Sequence, residues 1–386
     1  MSNALDCLQK LMAYGYIRPS IRDIENPEAK LMDKVIVIIG DCFDFNDDDV
    51  QLQILKAFLT AVSSAHCDVH DRALVNAIRA CFNIYLVSRN RSNQTMAKGT
   101  LTQMLGIIFQ RFEQAVTFAK EEKARASREG FETVEIASET DEANDDVVQK
   151  MEKMEEILTA AIVGDKEKSE TEIVEADDNT VEGDARSVVL DIIDNAVPLE
   201  ETKNEAEENE EVDSAPEVAQ VIQETLEQIP QGKSIHVATG QAAVNIAYND
   251  CSGIFKALCK LSSKELPAST SADSVDMRRK LLALQLIESI IEGAGPMLQA
   301  NERFVNNAIK KYLFISLLLN GVSPFIKVFR TSLSIFHGLL AKFQGNLRNE
   351  IGVYFSKIIL RILASLNSST QHKHVILRLL LKICKE

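Results

Sequence analysis

The stretch that decides the fold is Ser323-Pro324-Phe325-Ile326-Lys327-Val328-Phe329-Arg330-Thr331-Ser332-Leu333-Ser334-Ile335-Phe336-His337-Gly338-Leu339-Leu340-Ala341-Lys342-Phe343. Phe325, Val328, Phe329, Ser332, Phe336, Leu339 and Phe343 recur at three- and four-residue steps, which is the spacing of one helix face. Ser323 reads as the cap and Pro324 as the first helical residue. Gly345-Asn346 stops the run, and Ile351, Phe355, Ile358, Ile359 and Ile362 begin another. Upstream, Leu281 to Ile291 closes at Gly293, and Phe304 to Leu313 closes at Asn320-Gly321. Val375, Ile376, Leu379, Leu380 and Ile383 form the last run.

The first part of the chain follows the same plan. Asp47-Asp48-Asp49 offers a cap and first-turn acids ahead of Leu55, Phe58, Leu59 and Val62. Asp71 reads as the cap of the next run, through Leu74, Ile78, Cys81, Phe82 and Tyr85, and a third runs from Met96 to Phe112. The apolar run Val35 to Ile39 reads as the end of a helix stopping at Gly40. Stops every 20–25 residues make helix pairs of roughly 40–47 residues, the repeat length of HEAT and armadillo arrays. The fold expected is all-α: an armadillo/HEAT-like α-solenoid in two helical parts, residues 1–120 and 241–386, joined by a disordered acidic linker at 121–240.

Charge separates these parts. Residues 1–120 balance 13 acids with 13 bases, residues 121–213 hold 32 acids against 9 bases, and residues 276–386 hold 16 bases against 6 acids. The acid-rich block has the composition of a solvated tether. Within it, Val147, Met151, Met154, Leu158 and Ile162 are spaced as two heptads, too few for a stable coiled coil alone. Ser187-Val188-Val189-Leu190-Asp191-Ile192-Ile193 is short and apolar, with the look of a docking motif. The basic C-terminal part could receive the tether, an anionic membrane surface or an acidic protein, or could simply carry solvated helix faces. Nucleic acid is disfavoured, because Lys and Arg are not interleaved with stacking aromatics.

Composition and motifs exclude several classes. No apolar run approaches the ~18 residues of a membrane helix, and the first residues lack the pattern of a secretory leader. Seven cysteines scattered singly read as reduced thiols. His66-Cys67-Asp68-Val69-His70 superficially resembles a ligand set, but no second cluster completes it, so no metal is expected. His372-Lys373-His374 reads as exposed loop. Without a phosphate-binding glycine loop or a nucleophile elbow, no catalytic residue and no cofactor are expected.

Two stretches carry a resemblance. The first runs through Ala4-Leu5-Asp6-Cys7-Leu8-Gln9-Lys10-Leu11-Met12-Ala13-Tyr14-Gly15, Val50-Gln51-Leu52-Gln53-Ile54-Leu55-Lys56-Ala57, Asn83-Ile84-Tyr85-Leu86 and Asn93-Gln94-Thr95-Met96-Ala97-Lys98-Gly99-Thr100-Leu101-Thr102-Gln103-Met104. It resembles the dimerisation and cyclophilin-binding domain of the large brefeldin-A-inhibited Arf guanine nucleotide-exchange factors, the Sec7/BIG class. The second comprises Phe255-Lys256-Ala257-Leu258-Cys259-Lys260-Leu261-Ser262, Leu284-Gln285-Leu286, Ala308-Ile309-Lys310-Lys311-Tyr312-Leu313 and Asn320-Gly321-Val322-Ser323. It resembles the homology-upstream-of-Sec7 domain of the same factors.

Against that family, leading helices are expected to be missing, and the family's Asn-Tyr-Asp-Cys box and exchange domain are expected to lie outside these residues. Tyr248-Asn249-Asp250-Cys251 has a different order from that box and reads as a helix start capped by Asp250 or Asn249. The resemblance implies a regulatory and scaffolding region in trans-Golgi vesicle traffic, itself not an enzyme. It also implies a homodimer and recruitment by Arf or Arf-like small GTPases. The competing readings are an Arf exchange enzyme in its own right and a free-standing HEAT/armadillo-like adaptor. Candidate partner contacts are Asn83, Tyr85, Asn93, Gln94, Lys98 and Gln103 beside an apolar helix, and Lys310 and Lys311 on the basic segment. Inter-helix capping is the alternative role for the amides and a solvated face for the lysines.

Overall fold

A computed structural model describes residues 1–18, 20–23, 30–45, 47–128, 240–266, 270–271 and 273–385. The tether readings, including the Val147–Ile162 heptads and the Ser187–Ile193 motif, lie outside the described residues. The fold is an all-α solenoid, and the one bridge among the described residues is an isolated pair, Arg22 with Lys30. Two compact units divide it.

The first unit is built from residues 1–128, 240–257 and 293–300. Its helices are α1 Ser2–Ala13, α2 Leu31–Asp41, α3 Asp48–Ser63, α4 Asp71–Val87 and α5 Arg91–Arg128. The Asp47 carboxylate accepts the amides of Asp49 and Val50 at 2.9 and 3.0 Å, so α3 starts where the acid run predicts. Val50, Ile54, Leu55, Phe58, Leu59 and Val62 are then all buried on it. Each such side chain contributes about 1.5–3 kcal/mol by leaving water. Packing runs in series: α1 on α3, α2 on α4, and both α3 and α4 on α5. Because no single stripe has a core of its own, each helix is held chiefly by the helix two places along, and α4 and α5 hold each other as well.

Helix α6, Gln241–Ser263, gives its residues up to Ala257 to the first unit and those from Leu258 to the second. The second unit also holds α7 Val275–Gly293, α9 at 302–320, α10 Ile326–Phe343, α11 at 348–364 and α12 Thr370–Ile383. The one-turn helix α8, Pro296–Gln299, belongs to the first. Two helices of the second unit contain π-helical stretches, Val305–Leu313 in α9 and Phe355–Ile359 in α11. The core of this unit is aromatic: Phe336 stacks on Tyr354 with centroids 4.1 Å apart and meets Phe355 edge-on at 5.6 Å. Buried polar groups are joined across helices, Ser262 to Ser316 at 2.6 Å and Asn320 Nδ2 to the Ser262 carbonyl at 3.0 Å.

Four readings of the sequence are corrected. The α10 helix begins at Ile326, past Ser323-Pro324, with Phe325 extended at φ −80° and ψ 109°. Ser323 still acts locally, its Oγ accepting the Phe325 N–H at 3.3 Å just ahead of the helix, while its carbonyl accepts His372 Nε2 at 3.1 Å. His372 is thus a buried helical residue with its ring 4.5 Å from that of Phe329, because Ser369 caps α12 and starts the helix before it. Asp71 is the first residue of α4, not its cap, and its φ is +49°. Tyr248–Cys251 lies inside α6, seven residues or more past its start at Gln241, so Asp250 caps nothing on its own helix.

Candidate functional site

Asp250 caps a different element. It projects from α6 into the first unit, only 2% exposed, and its Oδ1 accepts the Asp71 backbone N–H at 3.0 Å. Its Oδ2 lies 2.6 Å from His70 Nδ1, while Asp68 Oδ1 lies 2.9 Å from His70 Nε2. An imidazole between two carboxylates must present a proton on each nitrogen. Burial disfavours that cation, but hydrogen bonds to Asp250 and Asp68, and then their charges, outweigh it and raise the His70 pKa to about 9. Asp68 is held below the usual range: burial opposes its charge, and the bond to His70 and the cations of His70, Lys30 and Arg111 override burial. Lys30 Nζ stands 3.6 Å from Asp68.

Arg111 completes the cluster from α5. It donates to the Val69 carbonyl at 3.4 Å and to that of Val62, which ties the loop after α3 to the α5 face. Burial lowers its pKa, countered by the charges of Asp250 and Asp68. The loop is held in an unusual shape, with Asp68 at φ +50° and Asp71 at φ +49° on either side of His70. Left-handed backbone costs about 1–2 kcal/mol for an L-residue, least for Asp and Asn. Nearby, Cys251 Sγ donates to the Ile108 carbonyl at 3.5 Å and Phe112 faces Tyr248 at 6.3 Å. Glu113, one residue on, accepts the amides of Met297 and Leu298 at 3.0 and 2.7 Å and so caps α8.

This arrangement ties the loop after α3, the start of α4, α5 and α6 to one another. The His66–His70 stretch is a loop whose His70 is spent on carboxylates, and no group of His, Cys, Asp and Glu among the described residues could hold a metal ion. All seven cysteines are free. Cys67 is buried, and burial pushes its thiol up to about 11, so it is an inert core thiol.

The polar residues picked from the sequence fall in separate places. Asn93 is buried at the start of α5, where Nδ2 donates to the Asp48 carbonyl at 2.9 Å and to Gln51 at 3.3 Å. Gln94 donates to the Ser88 carbonyl at 2.7 Å and closes the α4–α5 turn. Asn83 and Tyr85 are half-buried on α4, as are Lys98 and Gln103 on α5. Lys310 and Lys311 sit in the π-helical stretch of α9, Lys310 with its ammonium 3.5 Å from Glu350 and Lys311 exposed. Arg111 escaped the sequence reading, and Asp250 entered it only as a cap of its own helix. Their signal was a charge set among apolar neighbours on a helix face, Ala247, Cys251 and Ile254 for one, Ile108, Phe109 and Phe112 for the other.

Two family models match the chain. Residues 1–115 match the dimerisation and cyclophilin-binding domain, and residues 247–386 the HUS domain, both described as Mon2/Sec7/BIG1-like. The chain belongs to the Mon2/Sec7/BIG1-like family. Brefeldin A-inhibited guanine nucleotide-exchange protein 1 of Rattus norvegicus is 34% identical over all of this chain and 25% of its own length. The Homo sapiens protein of that name is 32% identical with the same coverage. Protein 2 of Arabidopsis thaliana is 32% identical over 99% of the chain and 21% of its own length. The chain therefore spans about a quarter of the curated relatives it matches, and it corresponds to the N-terminal region of a BIG-type Arf exchange factor. In family terms, the His70–Asp250 contact joins a residue of the dimerisation and cyclophilin-binding match to one of the HUS match.

Proposed function

We propose that the chain acts as a non-catalytic regulatory and scaffolding region of a large Arf exchange factor in trans-Golgi vesicle traffic. It self-associates through residues 1–120 and docks on a membrane-bound Arf or Arf-like GTPase through helix faces. The observation that carries this is the pair of Mon2/Sec7/BIG1-like matches at residues 1–115 and 247–386. Nucleotide exchange itself is assigned to no residue here.

Two features of the faces support it. Tyr14, Tyr16, Val37, Ile38 and Phe45 are exposed in and around α1 and α2, with Tyr16 at 71%, apolar surface that self-association would cover. Buried Asn93 and the Gln94 bond fix the α4–α5 turn, so that Asn83, Tyr85, Lys98 and Gln103 are presented from rigid helices, while Lys310 and Lys311 offer contacts on the second unit. No helix among the described residues is long and apolar enough to cross a membrane, so attachment would run through partners or an anionic surface.

The test is capture of the whole chain on Arf-family GTPases loaded with GTP or GDP, beside its mass by light scattering. Preference for the GTP form and a concentration-dependent dimer are expected. Equal or absent capture on both forms would remove the docking reading, and a strict monomer would remove self-association.

A further inference from the structure

Within the second unit, the connection between α9 and α10, residues 320–325, is held from several sides. Asn320 Nδ2 donates to the Ser262 carbonyl of α6 at 3.0 Å. A Cβ on Gly321 would stand 3.0 Å from the Tyr354 hydroxyl and 3.1 Å from Ile358 Cγ2, so α11 presses on the next residue. Because Phe325 is extended, the ladder of α10 starts at its carbonyl, to which the Phe329 N–H donates at 3.0 Å. The Ser323 carbonyl is left outside that ladder, and His372 Nε2 of α12 supplies its donor at 3.1 Å.

That bond fixes the state of the ring. A carbonyl only accepts, so Nε2 carries the proton, and a neutral imidazole then has its lone pair on Nδ1. Nδ1 is buried and has no hydrogen-bond partner among the described residues. The whole side chain is 4% exposed, with its ring 4.5 Å from that of Phe329. Protonation would put a second N–H where nothing accepts it. Residues 320–325 hold no ionisable side chain, α10 holds Lys327, Arg330, His337 and Lys342, and the 360–364 end of α11 that packs on α12 holds Arg361. On α12 the adjacent groups are Lys373 and His374. All of these are bases, so any charge among them opposes the extra proton too. Burial holds the His372 pKa below its ordinary 6.5, and the bond to the Ser323 carbonyl offsets only part of that.

We propose that His372 is an acid-sensitive latch: neutral, it pins the first turns of α12 to the Ser323 carbonyl and the Phe329 ring, and on taking up a proton it lets that end of the helix go. Release uncovers Phe329, Ile376 and Leu379, all buried while the latch is closed. The released ring binds its proton at the ordinary 6.5 and the docked ring only at lower pH. Docking is therefore at full strength above pH ~6.5 and weakens as pH falls below it. The latch stands independently of the role proposed above.

Nuclear magnetic resonance of the whole chain, labelled with nitrogen-15 in its histidine rings, tests the state of the ring. The chain has six histidines, and His372 is identified by elimination from single Gln variants of the other five, so the reading does not depend on altering it. Its ring should be the Nε2–H tautomer near neutral pH and should stay neutral below the 6.5 of a free imidazole. An Nδ1–H ring, or one that titrates at 6.5 or above, would overturn the proposal. Hydrogen exchange by mass spectrometry, corrected for the intrinsic pH dependence of exchange, tests the release. From about pH 7.5 to about pH 5.5, opening of residues 370–379 should rise about tenfold, the scale of one buried donor left unsatisfied. Opening of α7 should stay level over the same range. His372→Gln can still donate its side-chain amide to the Ser323 carbonyl but takes up no proton, so its residues 370–379 should show no rise. An equal rise in wild type and variant, or an equal rise in α7, would place the acid sensitivity elsewhere and overturn the latch. If His372→Gln loses helix content by circular dichroism, the wild-type ring spectra and the comparison with α7 decide the matter by themselves.

Discussion

His70 has a partner for each ring nitrogen, and Asp250 has two donors, the imidazole and the Asp71 amide. Removing one member therefore orphans others. Asp250→Ala should cost about 3–5 kcal/mol, as breaking a buried ion pair does, and should be read in the urea midpoint. The pH dependence has a definite sign. The folded pKa of about 9 lies above the reference 6.5, so the pair contributes on the order of 3 kcal/mol, all of it present below pH ~6.5 and lost as pH climbs through 9. The wild-type urea midpoint should fall across that window, and His70→Gln should start lower and fall less. A parallel fall in both proteins would place the titration elsewhere. None of this was legible in the sequence, since His70 and Asp250 stand 180 residues apart and each looks ordinary in its own neighbourhood. Only the packing of α6 against the loop after α3 makes them a pair.

Helices themselves were legible because their cause is local. Asp47 caps α3 and the apolar spacing of α3 to α5 follows from residues within a few turns. Starts shifted for two reasons: Ser323 Oγ takes the Phe325 N–H with Phe325 extended, so that α10 begins only at Ile326, and the Asp71 amide goes to the distant Asp250. The π-helical stretches of α9 and α11 left no trace in the periodicity, which absorbs one extra residue per turn without losing its stripe. Close approach between elements is also a distant effect. A Cβ on Gly338 of α10 would stand 2.9 Å from Ile291 Cγ2 of α7, and Ile291 is fully buried and branched at Cβ. Gly338→Val should therefore cost about 1–3 kcal/mol through overpacking, even though valine is the more apolar residue. Differential scanning calorimetry of the whole chain would register it, and an unchanged transition would show that α7 can yield. Gly295 tests a cap in the same way. A Cβ there would lie 2.6 Å from the Glu113 carboxyl carbon, so Gly295→Ala and Glu113→Ala should each destabilise by about 1 kcal/mol and be clearly non-additive when combined, since both remove one cap.

At the scale of the molecule, sequence order and spatial order part company. The first unit takes residues 240–257 and 293–300 together with residues 1–128, so pieces on either side of the acid-rich block share one core. The interactions that close it are of several kinds: the His70–Asp250 pair, Cys251 on the Ile108 carbonyl, Phe112 against Tyr248, and Glu113 on the amides of α8. A unit closed in this way does not need the intervening chain for its enthalpy, because the connection only spares the entropy of bringing the pieces together. Residues 1–128 and 240–386, made as separate polypeptides in one cell, should therefore associate and co-elute as a complex. Asp250→Ala should weaken that complex by at least tenfold, since the missing charge pair is no longer backed by a covalent link. Asp273→Ala, an exposed acid outside the cluster, should not. Independent elution of the two wild-type fragments, each helical, would mean that residues 1–128 bury their face without α6 and that the charge cluster is a consequence of tethering, not a cause of association.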